Sequence, residues 1–392
     1  MERLQSQRVL RTGRAEIDDI IEQYSDISDL DSLAMGSSGW TPPDEALRRL
    51  SKIINETDNH KYGSIMGYDK LRSKLLTKLK DLGLNIDDLE IMITCGAQQA
   101  FINSILCLCD NDDPAVLLAP YYFSHKLALQ LAGVQVQICP FTKSTLLPDI
   151  NQLEIILKEN DPKVCILTNP NNPSGVVFDN TFLKQVVNLC KKYNTWIISD
   201  STYFEFIYDD ANAKHVWLCS KVFDYDKIIH LSSFSKNFAM PGWRVGFLLY
   251  PKFLRDDMRK IQDTVPTHTS VLSEKLAYFA LEVDEEVLLR EGKSWVKTKI
   301  ENLEEIRSDL WNVLAPYGVI KPSGSFYYLV PVPGTIDELK AVDILARQFK
   351  ILVMPGKVFG APNYLRVSFG SAKSTALKKL EEGLKYIEKL TS

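Results

Sequence analysis

Lys236 comes directly after a segment with the composition of a buried strand. That segment, KIIHLSS at residues 227–233, runs into FSKN. A lysine held at a strand end in a cleft is partly desolvated, so its neutral amine is populated and can attack a carbonyl group. Arg244, eight residues further along, and Ser233 carry groups that could hold a phosphate. For this lysine taken alone, an ordinary solvated loop position is the plainer interpretation.

Asp200 ends another apolar segment, NTWIISD, and Tyr203 follows three residues later. An acid in this position commonly caps a turn or a helix. The chemical alternative is a carboxylate paired with the protonated nitrogen of a pyridine ring, which makes the ring an electron sink for a carbanion. The Tyr203 hydroxyl would then bond the phenolate oxygen of that ring. Asn172, in the loop NPNNPSG, has an amide that can donate to the same oxygen.

Two further segments offer a phosphate site and an aromatic face. The segment EIMIT breaks at Cys95 and Gly96, and a helix, AFINSILCLC, is predicted to follow. Small residues at a helix N-terminus leave free N–H groups and a positive dipole end, which suit a phosphate. Tyr122, in PYYF, offers a ring face for stacking, although a core aromatic explains it equally simply.

These residues stand at the ends of short apolar segments that alternate with helical ones from about Glu90 to Tyr250. The alternation predicts a mostly parallel sheet covered by helices on both faces. In such α/β sheets, ligands bind beyond the carboxyl ends of the strands, where these polar residues fall. The predicted strands are EIMITCG, AVLLAP, VQVQICP, KVCILTNP, NTWIISD, KIIHLSS and VGFLLY.

The remaining segments predict a smaller α+β unit. From about Lys293, a long charged helix, SWVKTKIENLEEIRSDLWNVL, precedes the strand-like segments GSFYYLVPV and YLRVSFG and a last helix, STALKKLEEGLKYIEKL. One helix, roughly Ala15 to Tyr24, is predicted near the N-terminus and is expected to pack against this part. We therefore predict an N-terminal segment (1–45), a large domain (46–290) and a small domain (291–392).

Composition favours small-molecule chemistry. The 392 residues carry a formal net charge of -4 with no Lys/Arg-rich block, so nucleic acid and anionic membranes are not expected as ligands. Seven cysteines, mostly in apolar segments, are expected to be buried free thiols, and Cys107 and Cys109 lack the partners of a zinc site. No signal-peptide core and no run of about 18 apolar residues occurs, so the cytoplasm is the expected location.

Six segments together resemble a known enzyme family. In order and spacing, TCGAQQAF, PYYF, NPNNPSG, DSTY, SFSKNFAMPGWRVGF and YLRVSFG are similar to the class I/II aminotransferases, pyridoxal 5′-phosphate (PLP) enzymes of fold type I. The resemblance covers nearly the whole chain. Within the family, INSILCLCD, PYYF, MPGWRVGF and KIQDTVP are most similar to plant-type methionine and aromatic aminotransferases. It implies a large domain with a mostly parallel seven-stranded sheet and a smaller α+β domain.

The resemblance also implies a cofactor site. Lys236 would form the internal aldimine with PLP and carry the proton between the substrate Cα and the cofactor's C4′. Asp200 would partner the ring nitrogen, while Asn172 and Tyr203 would bond O3′ and Tyr122 would stack on the ring. The phosphate would be held by Gly96, Ala97, Gln98, Ser233 and Arg244.

Substrate and subunit contacts follow from the same resemblance. Arg366, in YLRVSFG, would grip the substrate α-carboxylate with its two-pronged guanidinium, near Gly36, Trp40 and Asn172. Tyr62, in HKYGSIMGYDKLR, matches a tyrosine that reaches the phosphate of the neighbouring subunit. A homodimer with shared active sites is therefore implied.

The expected reaction is a ping-pong transamination from an L-amino acid, methionine or an aromatic one, to a 2-oxo acid. A dicarboxylate donor needs a second cation, and the segment QDTVPTHTSVLSEK offers only His268 and a terminal lysine. Arg11 and Arg14 stay open as another source of charge if the N-terminal segment folds over the site. The candidate walls are aromatic and favour apolar side chains: Trp40, Tyr122, Phe326 and Phe359.

Departures from the family pattern leave alternatives open. Many relatives have Gly-x-Pro-Asp-Phe where this chain has Gly36-Ser37-Ser38-Gly39-Trp40, and Ser201 replaces a common acidic residue. Because the cofactor carries the chemistry, the same fold hosts C–S β-lyases, decarboxylases and amino-acid oxidases or cyclases. A PLP-binding regulatory domain is disfavoured, because such proteins carry a DNA-binding module ahead of this part and only about forty residues precede Gly39. A dinucleotide-binding oxidoreductase is disfavoured, because no Gly-x-Gly-x-x-Gly follows a predicted strand.

Overall fold

The strands form three sheets in the computed structural model, which describes residues 5–14, 16–209, 213–220 and 222–391. Their bounds are β1 Asp31–Ser32, β2 Leu89–Thr94, β3 Pro114–Leu118, β4 Gln135–Cys139, β5 Val164–Thr168, β6 Trp196–Asp200, β7 Ile228–Ser233, β8 Gly246–Pro251, β9 Tyr327–Pro331, β10 Ile351–Leu352, β11 Met354–Pro355 and β12 Tyr364–Ser368.

Helices connect these strands and cover the sheets. They are α1 Gln7–Arg11, α2 Glu16–Gln23, α3 Asp44–Ile53, α4 Asp69–Asp81, α5 Ala97–Leu108, α6 Phe123–Leu131, α7 Ile150–Asn160, α8 Asn180–Lys192, α9 Phe234–Asn237, α10 Arg255–Thr264, α11 Val271–Glu291, α12 Trp295–Glu301, α13 Leu303–Leu314, α14 Glu338–Phe349 and α15 Ser374–Thr391. In the part of the chain that is described, no helix combines the length and apolarity needed to cross a bilayer.

The large sheet has seven strands in the order β2-β8-β7-β6-β5-β3-β4. All neighbours are parallel except that β8 runs antiparallel to both β2 and β7. Strands β5, β7 and β8 are buried along their whole length, as expected for a sheet with helices on both faces. The predicted seven-stranded, mostly parallel sheet is confirmed, and each predicted segment supplies one of its strands.

The C-terminal part contains an antiparallel sheet in the order β11-β12-β9, and β1 pairs in parallel with β10. Helix α2 buries Ile17 and Ile20, and the Tyr24 hydroxyl donates to Asp343 Oδ1 at 3.3 Å. The N-terminal segment therefore contacts the C-terminal part. The predicted helix began at Ala15, which lies outside the described residues. The predicted domain limits stay predictions.

Three details differ from the expectations. The long charged helix is two helices, α12 and α13, which meet at Asn302. Helix α5 begins at Ala97, three residues earlier than predicted, so the small residues after Gly96 are its first turn. All seven cysteines are free thiols, but Cys95, Cys107, Cys109 and Cys219 are only partly buried.

Candidate active site

A cavity of about 240 Å³ lies at the carboxyl edge of the large sheet. Parallel strands end together at this edge, so the residues after β3, β5, β6 and β7 meet there. Most of the residues predicted from sequence line the cavity: Gly36, Ala97, Gln98, Tyr122, Asn172, Asp200, Tyr203, Ser233, Lys236, Arg244 and Arg366. The sequence segments that carry the resemblance therefore converge on one place.

Lys236 lies in the short helix α9, whose N-terminus is capped by Ser233 through a bond from Ser235 N at 2.8 Å. Its Nζ donates to the Gly36 carbonyl, and Ser38 Oγ donates to the Lys236 carbonyl at 3.0 Å. Burial, and then the positive charges of Arg366 and Arg244, lower the pKa of Lys236 to about 8. At pH 7 about a tenth of the amine is then neutral and able to attack an aldehyde, far more than for an ordinary lysine.

Asp200 is buried at the end of β6 and is fixed on both sides. Thr202 N donates to its Oδ1 at 2.9 Å, and His125 Nε2 lies 3.2 Å from its Oδ2. The His125 ring stacks on Phe101, with ring centres 4.3 Å apart, and meets Tyr122 edge-on. Sequence reasoning missed His125, although it lies three residues after Tyr122 in the same helical segment.

Tyr203 is bonded to a second tyrosine of the cavity. The Tyr203 and Tyr327 hydroxyl oxygens are 2.6 Å apart, and both rings are buried. Burial, and then Tyr327, hold the pKa of Tyr203 well above its ordinary value, so this hydroxyl keeps its proton and can act as a donor. Tyr327 was predicted only as part of a strand.

Arg366 lies on β12 with its guanidinium between two aromatic rings, 4.8 Å from the Tyr327 centre and 4.3 Å from the Phe359 centre. Nη1 donates to Asn172 Oδ1 at 3.1 Å, and Nη2 donates to the Ala34 carbonyl. Nε is buried and has no hydrogen-bond partner among the described residues. Arg366 lines the cavity, and these two bonds use only two of its five N–H groups, so donors remain for a carboxylate ligand.

The phosphate end is built from Gly96, the first turn of α5 and Arg244. Gly96 has φ +83, which favours glycine, and a Cβ there would lie 2.6 Å from Arg244 Nη2 and displace that guanidinium. Arg244 donates to the carbonyls of Pro241 at 2.8 Å and Cys95 at 3.2 Å, which fixes its guanidinium beside the helix N-terminus. Gly96 supports this end of the cavity without lining it.

Gly36 also has no room for a side chain. A Cβ at this position would lie 2.0 Å from the Tyr327 hydroxyl oxygen. The predicted substrate-side glycine is therefore needed for Tyr327 to reach Tyr203, while the same residue's carbonyl accepts from Lys236.

Besides Gly96, two predicted site residues, Trp40 and Tyr62, lie outside the cavity lining. Trp40 packs on Phe206, with ring centres 6.4 Å apart, so it does not form the wall that was predicted. Tyr62 is 89% exposed and meets His268 edge-on, with ring centres 5.8 Å apart. Its predicted reach into a neighbouring subunit stays a prediction. Phe326 and Phe359 are buried in the core, and of the four candidate walls only Tyr122 lines the cavity.

The N-terminal segment supplies cavity residues that were not predicted. Ile17 and Asp18 of α2 and Met35 line it, and Phe123 joins them from the start of α6. Arg14 instead pairs with Asp19 at 3.0 Å, and Arg11 lines a separate surface cleft with Lys126. Neither Arg11 nor Arg14 lines the cavity, so the structure does not support the alternative in which one of them supplies a cation to the site.

The residues present fit PLP. A buried lysine of lowered pKa faces the cavity, a carboxylate held by His125 is available for a ring nitrogen, and a hydroxyl and an amide can reach a phenolate oxygen. At the other end, the α5 N-terminus and Arg244 suit a dianion. Arg366 is left for the carboxylate of a second molecule.

Comparison with known proteins agrees with this fit. Residues 31–384 match the family described as Aminotransferase class I and II. The chain is 34% identical to the aromatic aminotransferase ISS1 of Arabidopsis thaliana over 95% of this chain and 93% of that protein. It is 27% identical to an aspartate aminotransferase of Thermotoga maritima, over 92% of this chain and 91% of that one. The solved aromatic aminotransferase of Pyrococcus horikoshii superposes with a TM-score of 0.82 at 26% identity, covering 95% and 98% of the two chains.

Proposed function

The chain belongs to the class I and II aminotransferases, which are PLP-dependent transaminases of amino and 2-oxo acids, and from that premise we propose that its amino donors carry large uncharged side chains. Methionine and the aromatic amino acids are the proposed donors. The names of the relatives support more than one specificity, since an aromatic and an aspartate enzyme both match over most of their length. The lining of the cavity supports donors with uncharged side chains.

The observation that carries the proposal is the number of cations in the cavity. Among the lining residues of the described ranges, the cations are Lys236, Arg244 and Arg366. Lys236 is needed for the cofactor aldehyde, Arg244 lies at the phosphate end, and Arg366 suits the α-carboxylate. A distal carboxylate would have to be buried without a partner, which costs several kcal/mol. Of the alternatives considered from sequence, Lys275 donates to Asn59 and His268 accepts from Gly63 N at 3.2 Å.

The rest of the wall supports the same proposal. Ile17, Met35 and Phe123 are apolar residues of the cavity lining that have no predicted contact with the cofactor. Burial of apolar side-chain surface against them contributes about 25 cal/mol per Å². Methionine and phenylalanine gain from such contacts, whereas aspartate has little apolar surface to bury.

In the proposed reaction, each polar residue has one task. The bound cofactor supplies an electron-withdrawing ring that makes the substrate Cα–H acidic. Asp200 stabilises positive charge at the ring nitrogen, and His125 keeps that carboxylate in place. Arg366 orients the substrate through its α-carboxylate. Lys236 Nζ, once free, is the base that takes the Cα proton, and the Gly36 carbonyl is the acceptor that positions it.

The serine loop that departs from the family pattern is anchored at the catalytic lysine. Ser38 Oγ donates to the Lys236 carbonyl, Ser37 Oγ lies 3.3 Å from Ser371 Oγ, and Gly39 N donates to Gly370 O at 2.7 Å. The loop therefore supports the position of Lys236, and the family membership of the chain favours transamination over the lyase, decarboxylase and oxidase alternatives.

A homodimer is part of the proposal. The exposed Tyr62 ring lies on a loop outside the cavity of its own chain, where a contact with a second copy would cover it. The family resemblance assigns such a tyrosine to the partner's phosphate.

A panel of amino donors and 2-oxo acid acceptors on the purified PLP-loaded protein tests the function. Methionine, phenylalanine, tyrosine and tryptophan should have higher kcat/KM than aspartate and glutamate. Turnover should require both substrates, because a lyase or an oxidase would consume the amino acid with no acceptor. Aspartate or glutamate ahead of methionine and phenylalanine by about tenfold or more would refute the proposed donor class.

A further inference from the structure

Asp18 is an acid at the opening of the active-site cavity. It lies in α2, where Ile17 is buried and faces the cavity while Asp18 is exposed beside it. Asp18 therefore brings a carboxylate to the cavity beside the apolar Ile17. The other lining acid, Asp200, is buried at the opposite side, next to His125.

The position of α2 is fixed by contacts on both sides of Asp18. Ile17 and Ile20 are buried, and Tyr24 bonds to Asp343 and lies under the Arg347 guanidinium at 5.3 Å. After the helix, β1 pairs with β10. The carboxylate of Asp18 is thus held at the opening by a packed helix.

The charge of Asp18 is not neutralised by a neighbour. Among the described residues, no cation and no hydrogen-bond donor pairs with its carboxylate, whereas Asp19 is paired with Arg14 at 3.0 Å. The cavity cations have other partners: Arg366 bonds Asn172 and Ala34, and Arg244 bonds Pro241 and Cys95. An approaching substrate therefore meets a carboxylate that has no ion-pair partner among the described residues.

Asp18 is among the lining residues that a substrate side chain could meet. Ala97, Gln98, Ser233 and Arg244 surround the phosphate end, and Arg366 suits the α-carboxylate. The lining residues with no assigned contact to the cofactor or the α-carboxylate include Ile17, Asp18, Met35 and Phe123. A side chain that ends in a carboxylate would bring two negative charges together, while an uncharged one would meet the apolar neighbours.

We propose that Asp18 is a specificity-determining residue that repels substrates with a second carboxylate. It would act on donors and acceptors alike, because both halves of the reaction use one cavity. The acceptor class is then the 2-oxo acids with one carboxylate. This inference rests on the proposed function, to which it adds an active rejection of dicarboxylates beyond the lack of a cation for them.

Binding of unreactive acids to the PLP-loaded protein, measured by calorimetry, tests Asp18 without turnover. The probes are glutarate, with two carboxylates, and 3-phenylpropanoate, with one. Asp18→Asn should tighten glutarate binding by about threefold to tenfold, the range for one repulsion at a few ångströms in a solvated opening, and leave 3-phenylpropanoate within about twofold. Asp18→Arg should tighten glutarate further.

Glu22→Gln is the matched control, since it removes the same charge one turn along α2 and away from the cavity lining. It should change neither affinity. The inference is overturned if Asp18→Asn shifts both probes by one factor, or shifts neither. Its failure is separable from that of the proposed function: an enzyme that prefers aspartate refutes the donor class, whereas unchanged probe ratios refute only the role of Asp18.

Discussion

The hydroxyl oxygens of Tyr203 and Tyr327 lie 2.6 Å apart and join the loop after β6 to strand β9. The Tyr327 ring also lies 4.8 Å from the Arg366 guanidinium. One hydroxyl pair thus connects the residue predicted to touch the cofactor with the residue predicted to hold the substrate. The large sheet and the C-terminal sheet meet at this point of the cavity.

Tyr327→Phe removes this bond and should lower kcat/KM by about tenfold, the scale of one hydrogen bond to a functional group. The loss should appear with every donor, because the bond acts on Tyr203 and not on the substrate side chain. Steady-state kinetics measures it. Tyr328→Phe is the control, since that hydroxyl donates to the Arg307 carbonyl, outside the cavity. Equal losses in the two variants would contradict a role in the site.

Capture of PLP by the apoenzyme should accelerate as pH rises. The neutral Lys236 amine is the attacking species, and burial lowers its pKa to about 8. Below that pH the neutral fraction grows about tenfold per unit, and above it the rate should level off. Stopped-flow absorbance after mixing measures the profile. Lys236→Ala should show no covalent capture and no turnover, and a cofactor fixed by borohydride on another lysine would overturn the assignment.

Asp200→Asn should retain PLP but lose at least about two orders of magnitude in kcat, because a preorganised charge at the ring nitrogen is removed. The phosphate contacts at Arg244 and α5 are untouched, so cofactor content should stay high by absorbance. Ser201→Ala changes the neighbouring residue, which is also buried, and should leave kcat near that of the parent. Near-normal turnover of Asp200→Asn would show that this carboxylate does not partner the ring.

Lys78→Met should destabilise the fold by about 2–3 kcal/mol, because it leaves two carboxylates in a largely buried place without their cation. Lys78 Nζ is 2.7 Å from Glu205 Oε1 and 3.4 Å from Asp284 Oδ2, and its side chain is 27% exposed. Urea unfolding measures the loss. Lys80→Met removes an exposed lysine 3.9 Å from Asp87 and should cost less than about 1 kcal/mol. A similar loss of unfolding free energy in both variants would contradict a stabilising role for the ion pairs of Lys78.

Tyr62 can be tested by subunit complementation. If it serves the neighbouring site, a mixed dimer of Lys236→Ala and Tyr62→Ala contains one site with both residues intact. Activity of the mixture should rise above that of Tyr62→Ala alone after the subunits exchange, which native mass spectrometry can verify. Exchange without any gain would place the action of Tyr62 in its own subunit or nowhere in the site.

The large sheet was predictable because its strands are continuous apolar segments that end in polar clusters. Parallel strands share a carboxyl edge, so Asp200, Asn172 and Lys236 had to come close once the segments were recognised as strands. The break in the charged helix at Asn302 was not predictable, since α12 and α13 have one continuous charged pattern. Intrinsic helix preference does not report where two helices part.

Most site residues that could not be predicted from the sequence depend on how a side chain is oriented in the folded protein. Tyr327 and Tyr328 are adjacent in β9 and point to opposite faces, and the sequence does not say which face meets the cavity. Trp40 looked like a wall residue but packs on Phe206. His125 is the exception, because it follows Tyr122, the residue before α6, by three positions, which brings the two rings into contact at the start of the helix, and that signal was available.

The reversal of strand β8 makes the connection between β7 and β8 a poor place for an insertion. In a fully parallel sheet, a residue just before a six-residue strand would lie at the opposite edge, about 20 Å away. Because β8 runs backwards, Arg244 lies at the same edge as Lys236, and one short connection carries both. Any tag or linker placed within it would change their spacing. The turn at Gly292 is the better point of attachment, because residues 291–293 are exposed and a Cβ added at Gly292 would meet no atom within 4 Å.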